Sequence, residues 1–328
     1  MWTLIKRLFI LFVILVAVAA GALLLGPRER IERGAPVSLE GRGVAEVLAA
    51  REAAVGGITP GTQARVIWAG EPEAETPLSI LYLHGFSATS EEIRPVPDRV
   101  AAALGANLIF ARLTGHGRDG AALAAARAGD WVDDTALFLD LARAVGERVL
   151  IIGTSTGGTL AAYAATDADM ARDVAGVVML SPNFRVANPA AILTEMGFAR
   201  QIVPRLAGAE RAFTPLNDRQ ARFWTTRYGT DALTSLGTLM RETRERDFAA
   251  AGVPVLALFS DLDRVVSAIA TREALLSWGG PVTLAPLDLP QEGADPSRHV
   301  IAGDILSPAM TAPVTERILD WAADALPR

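Results

Sequence analysis

The sequence predicts an α/β protein, a mostly parallel sheet flanked by helices, behind an N-terminal transmembrane helix. Three observations carry this expectation. Short apolar runs at 78–83, 107–112, 148–152, 176–180 and 253–259, flanked by Gly or Pro, alternate with amphipathic stretches such as 131–145. One run passes through Gly-x-Ser-x-Gly directly into an alanine-rich stretch. Residues 8–25 carry no charge. With 328 residues, 51% of them hydrophobic, the chain can bury a sizeable core.

The apolar run at 8–25, LFILFVILVAVAAGALLL, follows Lys6-Arg7 and precedes Gly26-Pro27, Arg28, Arg30 and Arg33. Its 18 residues are near the lower limit for crossing the hydrocarbon core, about 30 Å thick. Ala-x-Ala-like cleavage sites occur around 18–22, but the run continues through Leu23-Leu24-Leu25 and exceeds the roughly 7–15 residues of a signal-peptide core. Residues 1–33 are therefore expected to form a membrane anchor in preference to a cleaved signal. Basic residues on both flanks leave the positive-inside rule undecided. The short leading tail is expected to stay in the cytoplasm with the domain outside; if the segment is cleaved, the domain is exported.

Residues 34–77, rich in Gly, Pro and Glu, are expected as a linker and first-strand region, with a helix at 44–54 and a strand at 64–69. Residues 78–181 and 252–328 are expected to form the sheet core, closing with a last strand at 282–287. Between them, at 182–251, the strand alternation stops. Helix-like segments carry Ile192, Leu193, Met196 and Phe198, then Phe223, Trp224 and Tyr228, then Leu233, Leu236, Leu239 and Met240. So long a stretch is expected as an inserted helical subdomain rather than a loop, its apolar residues packing on one another and on the main domain.

Composition removes several chemistries. Cysteine is absent, which excludes a thiolate nucleophile, disulfides, iron–sulfur clusters and zinc sites built on sulfur ligands. The one lysine, Lys6, precedes the apolar run, which excludes a Walker-type phosphate loop, a Schiff base or a serine–lysine dyad in the domain. No metal or organic cofactor is expected: Asp261 and Asp263 form an acid pair without further ligands at matching spacing. Beyond residue 33 the chain carries 26 basic and 35 acidic residues, a poor composition for binding nucleic acid or anionic lipid through a basic surface.

The most informative stretch is Arg148-Val-Leu-Ile-Ile-Gly153-Thr-Ser155-Thr-Gly157-Gly158. A sharp strand-to-helix turn presents the serine in a strained conformation, and the residues two before and two after must lack side chains. Gly153 and Gly157 meet that requirement. The turn also puts Ser155 at a helix N-terminus, which favours developing negative charge. A serine nucleophile needs a base, and only His84, His116 and His299 exist. His84 and His116 sit in glycine turns, where an imidazole fixes a loop. His299 follows the last expected strand in a polar segment, where α/β sheets carry their chemistry. A carboxylate must orient the imidazole, and after the run at 253–259 Asp261 and Asp263 compete for the role.

The order Ser, acid, His resembles that of α/β-hydrolases. With Leu83-His84-Gly85-Phe86, Gly115-His116-Gly117, Gly153-Thr-Ser155-Thr-Gly157-Gly158, Asp263-Arg-Val-Val266 and His299-Val300, the chain resembles the serine-aminopeptidase and monoacylglycerol-lipase-like group over residues 78–325. That resemblance implies an α/β-hydrolase fold with 182–251 as a lid. It implies Asp263 as the acid, before the apolar pair Val265-Val266, although Ser260 stands where such proteins usually have glycine. Asp261 is then read as a loop-capping acid. The resemblance further implies that the backbone N–H groups of Phe86 and Thr156 form the oxyanion hole. Trp131 and Asp134 are also features of the group, with Asp134 read as a helix-start acid.

The implied function is a serine hydrolase that cleaves a small-molecule or lipid carboxylic ester through an acyl-enzyme, with Ser155, His299 and Asp263 as its triad. An acyltransferase or peptidase on the same triad, and a non-catalytic binding protein on the same fold, are the alternatives.

Overall fold

The computed structural model describes residues 1–39 and 41–326; Glu40, in the expected linker, and Pro327 and Arg328, at the end of the expected core, lie outside them. The described residues form strands β1 (Arg65–Ile67), β2 (Ser79–Leu83), β3 (Asn107–Phe110), β4 (Val149–Thr154), β5 (Val174–Leu180), β6 (Glu210–Ala212), β7 (Arg227–Gly229), β8 (Val255–Phe259) and β9 (Val282–Pro286). All but β6 and β7 belong to a seven-stranded sheet in the order β1-β3-β2-β4-β5-β8-β9. β1 pairs antiparallel with β3, and every other pairing in that sheet is parallel.

Each expected apolar run is a strand. Every residue of β2, β3, β4, β5 and β8 is buried, which explains why these runs lack the polar alternation of a half-exposed sheet. Their side chains divide between two cores with period two. Leu81, Leu83, Val149 and Ile151 pack with residues of helices Ala128–Arg143, Thr156–Ala165 and Ala268–Leu275 on one face. Ile80, Tyr82, Leu150 and Ile152 pack with residues of helices Val96–Leu104 and Thr311–Ala325 on the other.

The segment between the N-terminal apolar helix and β2 is integrated into the domain. Val44, Val47 and Leu48 of helix Val44–Ala53 enter the first core, and the Glu73 carboxylate accepts from the Val44 and Ala45 N–H groups at 2.9 Å each, capping the helix start. Near its other end Glu52 takes two hydrogen bonds from Arg112, at 2.6 and 3.0 Å. Arg112 is only 2% exposed.

Residues 182–251 contain a 3₁₀ turn, Pro189–Glu195, and helices Ala199–Ala207, Asp218–Phe223 and Asp231–Arg244. Leu236, Leu239 and Met240 join the first core and Trp224 the second. The antiparallel pair β6–β7 within this segment was not foreseen. With three residues in each strand, neither is long enough to show a period of two.

The N-terminal helix, Trp2–Leu25, is long and apolar enough to cross a membrane by length and composition. Its 24 residues span about 36 Å at 1.5 Å per residue.

The Glu52–Arg112 pair yields a stability prediction. Glu52→Ala would leave a guanidinium buried without its partner and is expected to cost about 3 kcal/mol, read as a shift in the urea midpoint of the detergent-solubilised chain. A midpoint within error of the parent would refute a structural role for the pair.

Candidate active site

Ser155 stands between β4 and helix Thr156–Ala165 with φ 51° and ψ −112°, a backbone region disfavoured for any residue with a side chain. The surrounding packing enforces it. A Cβ on Gly153 would overlap the Gly157 carbonyl oxygen, and a Cβ on Gly157 would overlap that of Leu83 at the end of β2. The Ser155 N–H donates to the Leu180 carbonyl at 2.8 Å, and its own carbonyl accepts from Asn183 at 3.0 Å. β5 and the start of the inserted segment thus hold the turn from both sides.

The structure brings Ser155, His299 and Asp263 together. His299 Nε2 lies 3.0 Å from Ser155 Oγ, and His299 Nδ1 lies 2.8 Å from Asp263 Oδ2. The other Asp263 oxygen accepts from the Val265 and Val266 N–H groups at 2.7 and 2.9 Å, so one oxygen fixes the carboxylate while the second faces the imidazole. The Asp263 side chain is 1% exposed. Ser260, in place of the usual glycine, accepts from the Leu262 N–H at 3.2 Å through its hydroxyl; the serine shapes the same turn with its side chain. Asp261 corrects the sequence reading. It caps no loop: both its oxygens bind Arg272, at 2.7 and 2.8 Å, in an exposed ion pair.

Burial alone would lower the basicity of His299. The Asp263 carboxylate outweighs it, by charge and by hydrogen bond, with help from the charges of Glu92 and Asp295, and the pKa is raised above the ordinary imidazole value. Asp295 has a second role that the sequence did not signal. Its oxygens accept from the Ser297, His299 and Val300 N–H groups at 2.9, 3.2 and 2.9 Å and from the Ser297 hydroxyl at 2.6 Å. The His299 loop is therefore wound around a buried carboxylate. The Arg264 N–H donates to the Ser297 carbonyl at 2.9 Å, joining the acid's loop to the histidine's.

His84 and His116 serve the turns in which they lie. His84 Nε2 accepts from the Leu113 N–H at 3.2 Å, so Nδ1 carries the proton and donates to the Gly85 carbonyl at 2.9 Å. Burial lowers its pKa to about 4, which keeps it neutral. His116 is also held well below the ordinary value by burial, and its Nδ1 meets the Thr114 carbonyl at 3.2 Å. Trp131 Nε1 donates to the same carbonyl at 3.0 Å. Asp134 is a further correction. The helix starts at Ala128, so Asp130 occupies the first turn and Asp134 lies beyond it. There it accepts from the Thr114 N–H at 2.5 Å and from Arg51 at 2.6 Å, bracing the turn that contains His116.

Phe86 sits in the His84-Gly85-Phe86 loop that follows β2, with its ring 5.2 Å from that of Tyr228 and at 89° to it. The Thr156 N–H belongs to the first helical position, where no intrahelical acceptor exists. Behind this loop lies Glu92, which sequence reasoning missed because it is one acid of a Glu91-Glu92 pair in a region without periodicity. It is 2% exposed and accepts from the Gly85 N–H at 2.7 Å. The Tyr82 hydroxyl lies 3.3 Å from the same oxygen and 3.2 Å from Thr154 Oγ1. A polar path therefore runs from the His84-Gly85-Phe86 loop to the residue preceding Ser155. Burial pushes the Glu92 pKa up to about 7, against the Gly85 N–H, the charge of His299 and the Tyr82 hydroxyl, all of which favour ionisation.

A sheet of this order, a serine on a strand-to-helix turn and an imidazole between hydroxyl and carboxylate define an α/β-hydrolase. The family model of the serine aminopeptidases, S33, matches residues 74–281, and the chain belongs to that family. No curated protein sequence matches it. Among solved structures it is similar to one reported with the metagenome-derived lipolytic enzymes LipS and LipT, with a TM-score of 0.66 and 21% identity over 81% of this chain and 99% of that one. The monoacylglycerol lipase of Paleococcus ferrophilus gives 0.59 and 13% over 80% and 98%. A soluble variant of the Saccharomyces cerevisiae monoglyceride lipase gives 0.59 and 13% over 81% and 92%. At such identities the likeness is one of fold.

Glu92 carries a prediction with a definite sign. A carboxyl whose folded pKa is raised from 4.5 to about 7 binds its proton more tightly in the folded state, so its ionisation costs stability as pH rises from 4.5, and the cost is complete above about 7. Glu92→Gln keeps an oxygen for the Gly85 N–H and is expected to flatten this fall, gaining on the parent between pH 5 and 8 in urea melts. An equal difference at both pH values would refute it.

Proposed function

We propose that this protein is a serine hydrolase of carboxylic esters, working through an acyl-enzyme and held to a membrane by the helix Trp2–Leu25. The observation that carries the reading is the relay from Ser155 Oγ to His299 Nε2 at 3.0 Å and from His299 Nδ1 to Asp263 Oδ2 at 2.8 Å. Ser155 Oγ attacks the ester carbonyl carbon while His299 Nε2 takes the hydroxyl proton, and the carbonyl oxygen becomes an oxyanion facing the Phe86 and Thr156 N–H groups. Collapse of the tetrahedral species expels the alcohol, which receives the proton from His299. Water then attacks the acyl-serine, again losing its proton to His299, and the acid and free Ser155 result. Asp263 keeps the Nδ1 proton in place and offsets the imidazolium charge at each step.

The inserted segment 182–251 acts in this reading as a lid. Its apolar residues, and the contact of Tyr228 with Phe86, support an ester with an apolar acyl or alcohol group. The length and exposure of Trp2–Leu25 support an anchor.

Labelling by a fluorophosphonate probe is expected in the parent and absent in Ser155→Ala, whose kcat on ester series of increasing chain length should fall by about 10⁴-fold or more. Labelling that survives in Ser155→Ala rejects Ser155 as nucleophile. Acyl transfer to an added alcohol exceeding hydrolysis, or faster turnover of peptide amides than of esters, rejects the ester-hydrolase assignment.

The pH profile provides a second check. His299 must be neutral to accept a proton and its pKa is raised by Asp263, so kcat/KM is expected to fall on the acid side with a midpoint above about 6.5. In Asp263→Asn the midpoint should move to lower pH and kcat should drop by about 10⁴. An unmoved acid limb in that variant would show that Asp263 does not act through the imidazole.

A further inference from the structure

The end of the N-terminal helix is built into the inserted segment. The Leu23 carbonyl, one of the last in the helix, accepts from the Gly197 N–H at 2.8 Å, and the Pro27 carbonyl accepts from the Phe198 N–H at 3.0 Å. Gly26 and Gly197 make the approach possible: a Cβ on Gly197 would come within 2.8 Å of the Gly26 Cα, and one on Gly26 within 2.5 Å of the Phe198 ring. Beyond the junction, Glu29 binds Arg200 through both oxygens at 2.7 Å each, and its carbonyl accepts from Arg241. The Ile31 N–H donates to Glu242 at 3.1 Å, and Arg33 pairs with Asp133 at 3.0 Å.

This junction sets the depth of the inserted segment. Leu23 is two residues from the end of the apolar helix, about 3 Å along its axis, so with that helix anchored as proposed above Gly197 would stand where hydrocarbon gives way to headgroups. On either side of it the segment exposes large apolar side chains: Ile192 at 55%, Phe198 at 39% and Leu206 at 67%. Helix Ala199–Ala207 turns Ala199 and Val203 inward and leaves Leu206 outside.

Charge is distributed in the same sense. The net acidity of the chain beyond residue 33, unfavourable to anionic lipid when read as a whole, is uneven. Residues 182–251 hold ten arginines against seven acids, and residues 1–33 hold five basic residues against two acids. The rest of the chain holds 16 basic and 28 acidic residues. The part joined to the membrane helix is positive, and the sheet core is negative.

We propose that the face bearing Ile192, Phe198 and Leu206 docks on the bilayer that holds the chain's own N-terminal helix, and that the enzyme draws its ester from that bilayer. The occupant follows from continuity: the membrane entered by residues 2–25 begins one hydrogen bond away from Gly197. Apolar side chains enter the interface while Arg205, exposed in the same helix as Leu206, faces anionic headgroups. This inference rests on the anchored ester-hydrolase reading above and adds the source of the substrate.

The absence of cysteine makes a site-specific test direct. Full-length Leu206→Cys and Leu276→Cys chains, both altered at exposed positions, are labelled with an environment-sensitive fluorophore. They are then placed in vesicles of phosphatidylcholine and phosphatidylglycerol with or without brominated acyl chains. Quenching at 206 and none at 276 is expected. Alongside it, Ile192→Ser combined with Leu206→Ser should lower hydrolysis of a long-chain ester dissolved in the vesicles by about tenfold, with a short water-soluble ester unaffected.

A label at 206 that stays unquenched while the chain floats with the vesicles overturns the docking. So does an equal loss on both esters. Protection of the 206 label in lipid-free detergent that rises with protein concentration assigns the face to a second copy, and also overturns it. Quenching at 206 in a parent chain that turns over neither ester supports the docking and sinks the hydrolase reading instead.

Discussion

The active-site architecture depends on how closely three backbone segments approach one another at Ser155. Strand β4 ends, the chain reverses into a helix within one residue, and the carbonyls of Leu83 and Gly157 fill the space that two Cβ atoms would need. That crowding holds Ser155 at φ 51°, a conformation that costs on the order of 1–3 kcal/mol and persists because β2, β5 and the chain at Asn183 surround it. The strain aims the hydroxyl out of the sheet and leaves the Thr156 N–H at an unsatisfied helix start. In the proposed mechanism, nucleophile placement and anion stabilisation would therefore have the same steric cause.

The remaining members of the relay come from loops after β8 and β9, which a parallel sheet places side by side at its carboxyl edge. Loops of this kind move unless tied down, and here the ties are polar. Two N–H groups seize one oxygen of Asp263, Asp295 gathers the backbone around His299, and the Arg264 N–H spans the two loops. Through these bonds, the short Asp263–His299 distance becomes a property of the scaffold.

What the sequence made legible was whatever depends on local spacing. The buried strands appear as unbroken apolar runs because both faces are covered. Ser155 is marked by glycines two residues to either side, and His299 stands out by elimination among three histidines. The choice between Asp261 and Asp263 needed family resemblance, because two acids in one turn differ only in direction: one meets solvent and Arg272, the other is 1% exposed against His299. Glu92 and Asp295 were illegible for a related reason. Each works by gathering N–H groups of a turn whose shape no periodicity announces. The same limit hid β6 and β7, and it made Asp134 look like a helix start when the helix begins six residues earlier.

The stretch from Gly26 to Arg33 shows most clearly what pattern reading leaves out. In sequence it is only the charged flank of the expected anchor, a Gly-Pro pair followed by Arg28, Glu29, Arg30, Glu32 and Arg33. In the structure its charges have fixed partners: Glu29 and Arg200 are 171 residues apart and meet through two parallel bonds at 2.7 Å, a geometry far more directional than an ordinary surface pair. With the helix Trp2–Leu25 anchored as proposed, a free tether would let the domain tumble above the membrane, the inserted segment facing any direction. A chain fastened from Leu23 to Arg33 across helices Ala199–Ala207, Asp231–Arg244 and Ala128–Arg143 has few such choices. Fixing the orientation in the folded state means that its entropic cost is met when the chain folds, and in the docking proposed above the cost does not recur each time the inserted segment approaches a lipid surface.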